Sequence, residues 1–130
     1  MEVISILVAA AGAYVFGALW YMRLGDSWVR ASGVELDENG RPVSAGLTPF
    51  IISAIAVILV AGMMRHMFGM AGIDSVGKGL MAGLGLGAFI AAPWIVTNYA
   101  YAARSRMLML IDGGYAVIGC TIIGTVLTLF

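Results

Sequence analysis

The residue of this sequence best placed to do chemistry is Asp112, an acidic side chain inside a long apolar run. The run covers residues 107–130, and three other apolar runs of similar length contain no acidic residue. A charge in the hydrocarbon of a bilayer is costly, so an intramembrane carboxylate is paired, protonated or functional. The function of the chain therefore depends largely on what Asp112 does.

The polar residue that the sequence places opposite Asp112 is Asn98. Asn98 lies six residues before Arg104, and Asp112 lies six residues after Arg106. Two helices joined by this basic turn would carry both side chains at the same depth, roughly 9 Å inside the arginines. At 100° per residue, Trp94 and Asn98 share a helical face. The predicted polar cluster comprises Asp112, Asn98, Tyr21, Arg23, Trp20, Trp94 and Tyr115, with Tyr99 and Tyr101 within reach of the same level.

Three interpretations of Asp112 follow from this placement. In the first, which we favour, Asp112 pairs with Asn98, a tyrosine hydroxyl or Arg23 and fixes the register of the helices, as interhelical polar contacts commonly do. In the second, the carboxylate is desolvated and exchanges a proton or binds a cation. In the third, Asp112 reaches the membrane interface, because it lies little more than one turn inside its helix.

A second candidate site is a set of thioether and imidazole side chains near the end of the second apolar run. They recur at about one helical turn and form a soft set suited to Cu(I): Met63, His66, Met67 and Met70. Methionine is also ordinary packing material in a membrane helix. We favour packing, so the sequence predicts no metal and no cofactor. Cys120 is the only cysteine, which excludes an intramolecular disulfide, and it is expected to pack as a small residue.

The composition indicates that these residues belong to an integral membrane protein. The chain is 62% hydrophobic and 11% charged, with a mean hydropathy of +1.00, whereas soluble domains carry about 25% charged residues. The expected partner is therefore the lipid bilayer. Seven basic residues balance seven acidic ones, so no basic patch supports nucleic-acid binding.

The apolar runs predict an all-α, polytopic protein built as a bundle of four transmembrane helices in one domain, residues 1–130. Each predicted span has about the 20 residues needed to cross a bilayer: 3–22, 47–68, 78–101 and 107–130. A polar segment, 23–46, contains a short interfacial helix that Gly33 stops. The first run is expected to be retained, because no basic residue precedes it and it is too long for the core of a signal peptide.

Small residues at helical spacing predict where these helices pack closely. Ser5, Ala9, Ala13 and Gly17 form a seam on the first span, and two overlapping Gly-x-x-x-Gly units occur on the third. Pro93 is expected to kink the third span. The predicted packing glycines are Gly17, Gly79, Gly83, Gly87, Gly113, Gly114 and Gly119.

The distribution of Lys and Arg predicts the orientation. Arg23, Arg30 and Arg41 follow the first span, and Arg104 and Arg106 precede the fourth, so five basic residues lie on one side and two on the other. By the positive-inside rule, the segment 23–46 is cytoplasmic and both termini lie outside the cytoplasm.

Three pieces of the chain together resemble a known family. They are the end of the first span (Gly17-Ala18-Leu19-Trp20-Tyr21), Trp28 followed by Gly33, and Ile111-Asp112-Gly113-Gly114-Tyr115 in the fourth span. This ordered set resembles a family of small four-helix bacterial inner-membrane proteins that is catalogued only as a domain of unknown function. The resemblance implies four helices and a bacterial inner membrane, with both termini periplasmic by the orientation above. It implies no activity, but it does include Trp20, Tyr21, Trp28, Asp112 and Tyr115 in the family pattern.

These observations favour a structural or accessory membrane protein that assembles with itself or with other membrane subunits. The alternative is a small oligomeric transporter or channel that uses Asp112 as a proton- or cation-binding carboxylate. We expect no enzymatic activity, because the membrane region carries neither a metal-spaced set of His, Asp and Glu nor a nucleophile–base pair.

Overall fold

The structure is a computed structural model that describes residues 1–43 and 46–130, so residues 44 and 45 of the predicted polar segment lie outside the described part. Its helices are α1 (Glu2–Arg23), α2 (Gly25–Ser32), α3 (Thr48–Ala71), α4 (Val76–Leu86), a π-helical turn (Gly87–Ala91), α5 (Ala92–Tyr101) and α6 (Arg106–Leu127). Helix α4, the π-helical turn and α5 form one continuous span. The predicted all-α fold, with four long apolar helices and a short helix after the first, is confirmed.

The ends of the helices differ from the predicted bounds by a few residues. Helix α3 continues past residue 68 to Ala71, where Gly72 takes the left-handed conformation (φ 67°) that ends many helices. Helix α6 stops at Leu127 rather than at residue 130. These shifts change the length of the spans without changing their number.

Helix α6 occupies the centre of the packing. It contacts α1 on one side and the third span on the other, while α3 packs mainly against α1. The buried core lies where α1, α3 and α6 meet, and it consists of Ala9, Ala10, Ala13, Ala61, Met64, Phe68, Ile123 and Leu127. The small alanines of α1 allow the larger side chains of α3 and α6 to fill the space between the helices.

The third span is brought against the backbone of α6 by glycines of α4 and of the π-helical turn. A Cβ atom on Gly79, Gly83 or Gly87 would lie closer than 3.0 Å to α6 atoms, among them the carbonyl oxygens of Gly124 and Cys120. Real side chains do not tolerate such distances, so only glycine fits at these three positions. The predicted Gly-x-x-x-Gly face is the line along which the two helices touch.

A π-helical turn interrupts the third span directly before Pro93. The amide N–H of Ala92 donates to the carbonyl of Gly87, five residues earlier, instead of to a group four residues earlier. Proline lacks an N–H and its ring crowds the carbonyl four residues before it, and the wider turn accommodates this mismatch. The extra residue in the turn shifts the helical phase of everything after it by about one position.

The short helix α2 is attached to the turn between the third span and α6. The Arg104 guanidinium donates to the carbonyl of Ser32 at 2.9 Å, and the Ser105 hydroxyl donates to the carbonyl of Ala31 at 3.0 Å. Gly33 ends α2 in the left-handed conformation, with φ 66°. These bonds hold α2 beside the membrane end at which α1 and α5 terminate.

Candidate functional site at Asp112

Both carboxylate oxygens of Asp112 are hydrogen-bonded by tyrosines from two other helices. The Tyr21 hydroxyl of α1 donates to one oxygen at 2.5 Å, and the Tyr99 hydroxyl of α5 donates to the other. Asp112 therefore connects three of the four spans through one side chain.

Trp20, next to Tyr21 on α1, makes a second polar contact with α6. Its indole N–H donates to the carbonyl of Ile111 at 2.9 Å. The indole lies over Gly114, where an added Cβ would be 3.1 Å from the ring. Gly114 thus leaves room for the tryptophan that bonds beside the carboxylate.

Tyr115 continues the contact between α1 and α6 one turn further along. Its hydroxyl donates to the carbonyl of Ala13 at 3.3 Å, and its ring lies so close to Gly17 that a Cβ there would be 2.8 Å away. The ring meets Tyr21 edge-on, with the centroids 5.6 Å apart. It also stacks against Phe16 with a centroid separation of 6.3 Å. Burying these rings stabilises the same helix pair that the polar contacts orient.

The two remaining predicted packing glycines of α6 lie on either side of this cluster. Gly113 faces the third span, where an added Cβ would be 3.8 Å from the methyl group of Ala92. Gly119 lies under the ring of Tyr115, with the corresponding distance 3.7 Å. Both distances are ordinary van der Waals contacts, so these glycines are less constrained than those of α4.

Three residues that the sequence placed in the polar cluster are exposed, and none of them donates one of the two hydrogen bonds that Asp112 accepts from the described residues. Asn98 and Arg23 are exposed, and Trp94 is 68% exposed. The pairing of Asn98 with Asp112 assumed a regular helix, and the extra residue of the π-helical turn rotates Tyr99 into that position instead. Arg23 ends α1 beyond the level of Tyr21, as expected of an anchor at the membrane surface.

The sequence named Tyr99 only as one of the tyrosines within reach of Asp112, and it did not indicate Phe16. Tyr99 was one of several tyrosines near the right level, and its selection depends on the phase shift in the third span. Gly87 begins the π-helical turn, and Pro93 follows it. These two residues could have indicated the phase shift, because a π-helical turn accommodates the missing N–H and the bulky ring of a proline. Phe16 carries no polar group, and it belongs to the cluster through the packing of its ring against Trp20 and Tyr115.

The methionine–histidine set forms no closed site. Met63, Met67, Met70 and His66 are all exposed on α3. Among the residues that the structure describes, no group of three or more His, Cys, Asp or Glu is arranged to hold a metal ion. Cys120 is buried on α6 beneath Gly83, in a packing position.

Residues 4–128 match the model of a family described as "Protein of unknown function (DUF1761)". The chain belongs to the DUF1761 family. The match covers nearly the whole chain, and it confirms the resemblance indicated by the Trp-Tyr and Asp-Gly-Gly-Tyr motifs. Neither the curated proteins nor the solved structures include a match to this DUF1761 chain.

Proposed function

We propose that this DUF1761 protein is a non-enzymatic, structural or accessory component of a bacterial inner membrane. It assembles with itself or with other membrane-protein subunits. The observation that carries the proposal is the double pairing of Asp112. Its carboxylate accepts hydrogen bonds from Tyr21 and Tyr99 on two different spans, so both oxygens are occupied in holding helices together.

This pairing is what a register-fixing residue requires. An intramembrane charge that serves transport is expected to face a water-filled cavity or pathway. In the described structure, both oxygens of Asp112 instead accept hydrogen bonds from tyrosine hydroxyls of neighbouring helices. The carboxylate thus supports the structural function better than the transport function.

The outer face of the third span is the surface that we assign to assembly. This span packs chiefly against α6, and its opposite face presents large aromatic side chains together with polar ones: Phe89, Trp94, Thr97, Asn98 and Tyr101. Aromatic residues dominate the energetics of protein interfaces, and polar side chains hydrogen-bond between membrane helices. A neighbouring helix would cover this mixed face better than lipid chains would.

Site-specific photocrosslinking in native membranes tests this assignment. A benzophenone amino acid replaces Trp94 in one variant and Phe50, which is 62% exposed on α3, in the control. Both positions lie near the same membrane face, so they differ mainly in the helix that carries them. We expect a protein adduct from position 94 and only lipid adducts from position 50. The absence of a protein adduct at position 94 would contradict assembly through this face.

A flux measurement separates the structural function from the transport function. Proteoliposomes containing the wild type or Asp112→Asn are loaded with a pH-sensitive dye and subjected to a proton gradient. The structural proposal expects the same flux in both samples and in empty liposomes. A pH-dependent flux in the wild type that Asp112→Asn abolishes would replace the structural function with the transporter alternative.

A further inference from the structure

Two adjoining cavities lie at the end of the molecule opposite Asp112. Their volumes are about 340 and 330 Å³, and they share Glu2 of α1 together with Arg65 and Gly69 of α3. The first is completed by Ile6, Gly62, His66 and Met70. The second extends to the end of α6 at Leu127 and Thr128. We call the pair the Glu2–Arg65 cleft; each half is within the size range of small-ligand sites.

Arg65 is the notable side chain of the Glu2–Arg65 cleft. It lies six residues before the end of α3, roughly 9 Å inside the span, where a charge is expensive unless it is paired. One guanidinium nitrogen donates to the carbonyl of Leu127 at 3.3 Å. A guanidinium has five N–H groups in a planar fork that matches phosphate oxygens. The remaining donors are not bonded to any residue of the described structure.

The acidic residues around the cleft differ in whether they already form an ion pair. Lys78 forms an ion pair with Asp74 at 2.7 Å, and it lowers the pKa of that exposed carboxyl below its usual value. Glu2 has no ion pair with any described residue, although it lines both cavities together with Arg65. The cleft thus offers one cation and one anion on neighbouring helices.

We propose that the Glu2–Arg65 cleft binds the headgroup of a zwitterionic phospholipid of the phosphatidylethanolamine type. Arg65 bonds the phosphate, and Glu2 bonds the primary ammonium. Glu2 lies where α1 begins, and the long side chain of Arg65 extends its guanidinium from inside α3 toward the end of that helix, so a lipid headgroup can reach both charges. Glu2 disfavours a headgroup without a positive charge, so phosphatidylglycerol binds more weakly. This site is independent of the assembly face on the third span.

The glycines of α3 give the cleft its depth and provide a clean way to block it. An added Cβ on Gly62 or Gly69 would meet no atom within 4 Å. A leucine at position 69 therefore fills the cleft while leaving Arg65, Glu2 and the helix backbone in place. Leucine is also a better helix former than glycine, so the variant is expected to fold.

Native mass spectrometry of the full chain in mild detergent tests the proposal. The protein is mixed with equal amounts of phosphatidylethanolamine and phosphatidylglycerol that carry the same acyl chains. We expect the wild type to retain phosphatidylethanolamine preferentially. Arg65→Gln should reduce the retention of phosphatidylethanolamine about tenfold, which is the loss expected for a charge-assisted hydrogen bond. Gly69→Leu should reduce it to a similar extent, because the leucine occupies the cleft. Arg41→Gln, in the exposed loop before α3, is the matched control and should retain lipid as the wild type does.

Two further measurements test whether Glu2 recognises the ammonium group and whether binding requires the acyl chains. Glu2→Gln should bring the retention of the two lipids close to equal, because it removes the group that recognises the ammonium. Soluble phosphoethanolamine should not displace the lipid at equal concentration, because it lacks the acyl chains that hold the lipid beside α1 and α3.

Three results would overturn the proposal. The first is equal retention of both lipids by the wild type. The second is unchanged retention of phosphatidylethanolamine by Gly69→Leu, with folding verified by circular dichroism. The third is full displacement by soluble phosphoethanolamine at equal concentration, which would show that the cleft takes a free headgroup rather than a membrane lipid.

Discussion

At the scale of single residues, Asp112 illustrates how a membrane protein can keep a carboxylate inside a span. Each oxygen accepts a hydrogen bond from a tyrosine on another helix, so the interaction connects α1, α5 and α6. Trp20 adds a bond to the neighbouring carbonyl of Ile111. The geometric consequence is that three helices share one rotational register at this depth.

Replacing Asp112 should show the energetic value of this connection. Asp112→Leu leaves two partly buried hydroxyls without an acceptor and should lower the free energy of unfolding by about 2 kcal/mol. Asp112→Asn keeps an acceptor and should cost less than about 1 kcal/mol. The measurement is unfolding in mixed detergent, followed by circular dichroism.

The control for this comparison is Asp26→Leu, at a position of α2 outside the membrane spans, which should change stability by less than about 0.5 kcal/mol. Equal stability of Asp112→Leu and the wild type would show that the carboxylate does not fix the helices.

At the scale of elements, the third span combines a glycine face with a phase shift. The glycines of α4 touch the backbone of α6, and the π-helical turn then rotates α5 so that Tyr99 rather than Asn98 faces Asp112. The contact between the α4 glycines and α6 therefore lies before the π-helical turn, and the hydrogen bond between Tyr99 and Asp112 lies after it. Both interactions join the third span to α6.

The glycine face predicts a sharp contrast between neighbouring substitutions. Gly83→Ala places a methyl group against the Cys120 carbonyl and should lower the free energy of unfolding by roughly 2 kcal/mol, because the helices must separate. Gly85→Ala, whose added Cβ meets no atom within 4 Å, should be neutral or stabilising by up to about 1 kcal/mol. Detergent unfolding of the two variants measures the difference, and similar effects would contradict the close packing.

The π-helical turn predicts that a deletion is better tolerated than an insertion. Removing Ala88 lets the Ala92 N–H reach the Gly87 carbonyl as an ordinary α-helical bond, so Tyr99 keeps its phase. Inserting one alanine after Ala88 turns Tyr99 away by about 100°. A double-mutant cycle between Tyr99→Phe and Asp112→Leu in each background measures the pairing, because each single change removes the hydrogen bond. We expect the coupling energy to persist in the deletion variant and to vanish in the insertion variant.

At the scale of the whole molecule, the two membrane ends have different characters. One end gathers the Asp112 cluster and is flanked by α2, which is bonded to the turn before α6. The other end carries the Glu2–Arg65 cleft where α1, α3 and α6 meet. The predicted orientation places the first end at the cytoplasmic surface and the second at the outer surface.

Cysteine labelling measures this orientation directly. The buried Cys120 is first replaced by alanine, and Asp74→Cys or Asn39→Cys is introduced at an exposed position of one of the two loops. A membrane-impermeant maleimide should label position 74 in intact spheroplasts, and position 39 only after the membrane is permeabilised. The reverse pattern would show that the termini are cytoplasmic.

The sequence by itself determined the features that depend on local composition and spacing. Long apolar runs predict the spans, because burying about 20 residues is what crossing a bilayer requires. Glycines at every fourth position of α4 predict a close helix contact, and a single acidic residue in a span marks Asp112 as the centre of a polar cluster. The family motif around Trp20 and Asp112 is likewise a property of the residue order alone.

Only the tertiary structure decided which side chains meet. A constant 100° per residue carries Asn98 toward Asp112, but the hydrogen bond from Ala92 to Gly87 inserts one extra residue and brings Tyr99 there. Glu2 and Arg65 lie far apart in the chain, and they line one cleft because α1 and α3 pack together. Helical phase accumulates along a helix, so one irregular turn changes every contact beyond it.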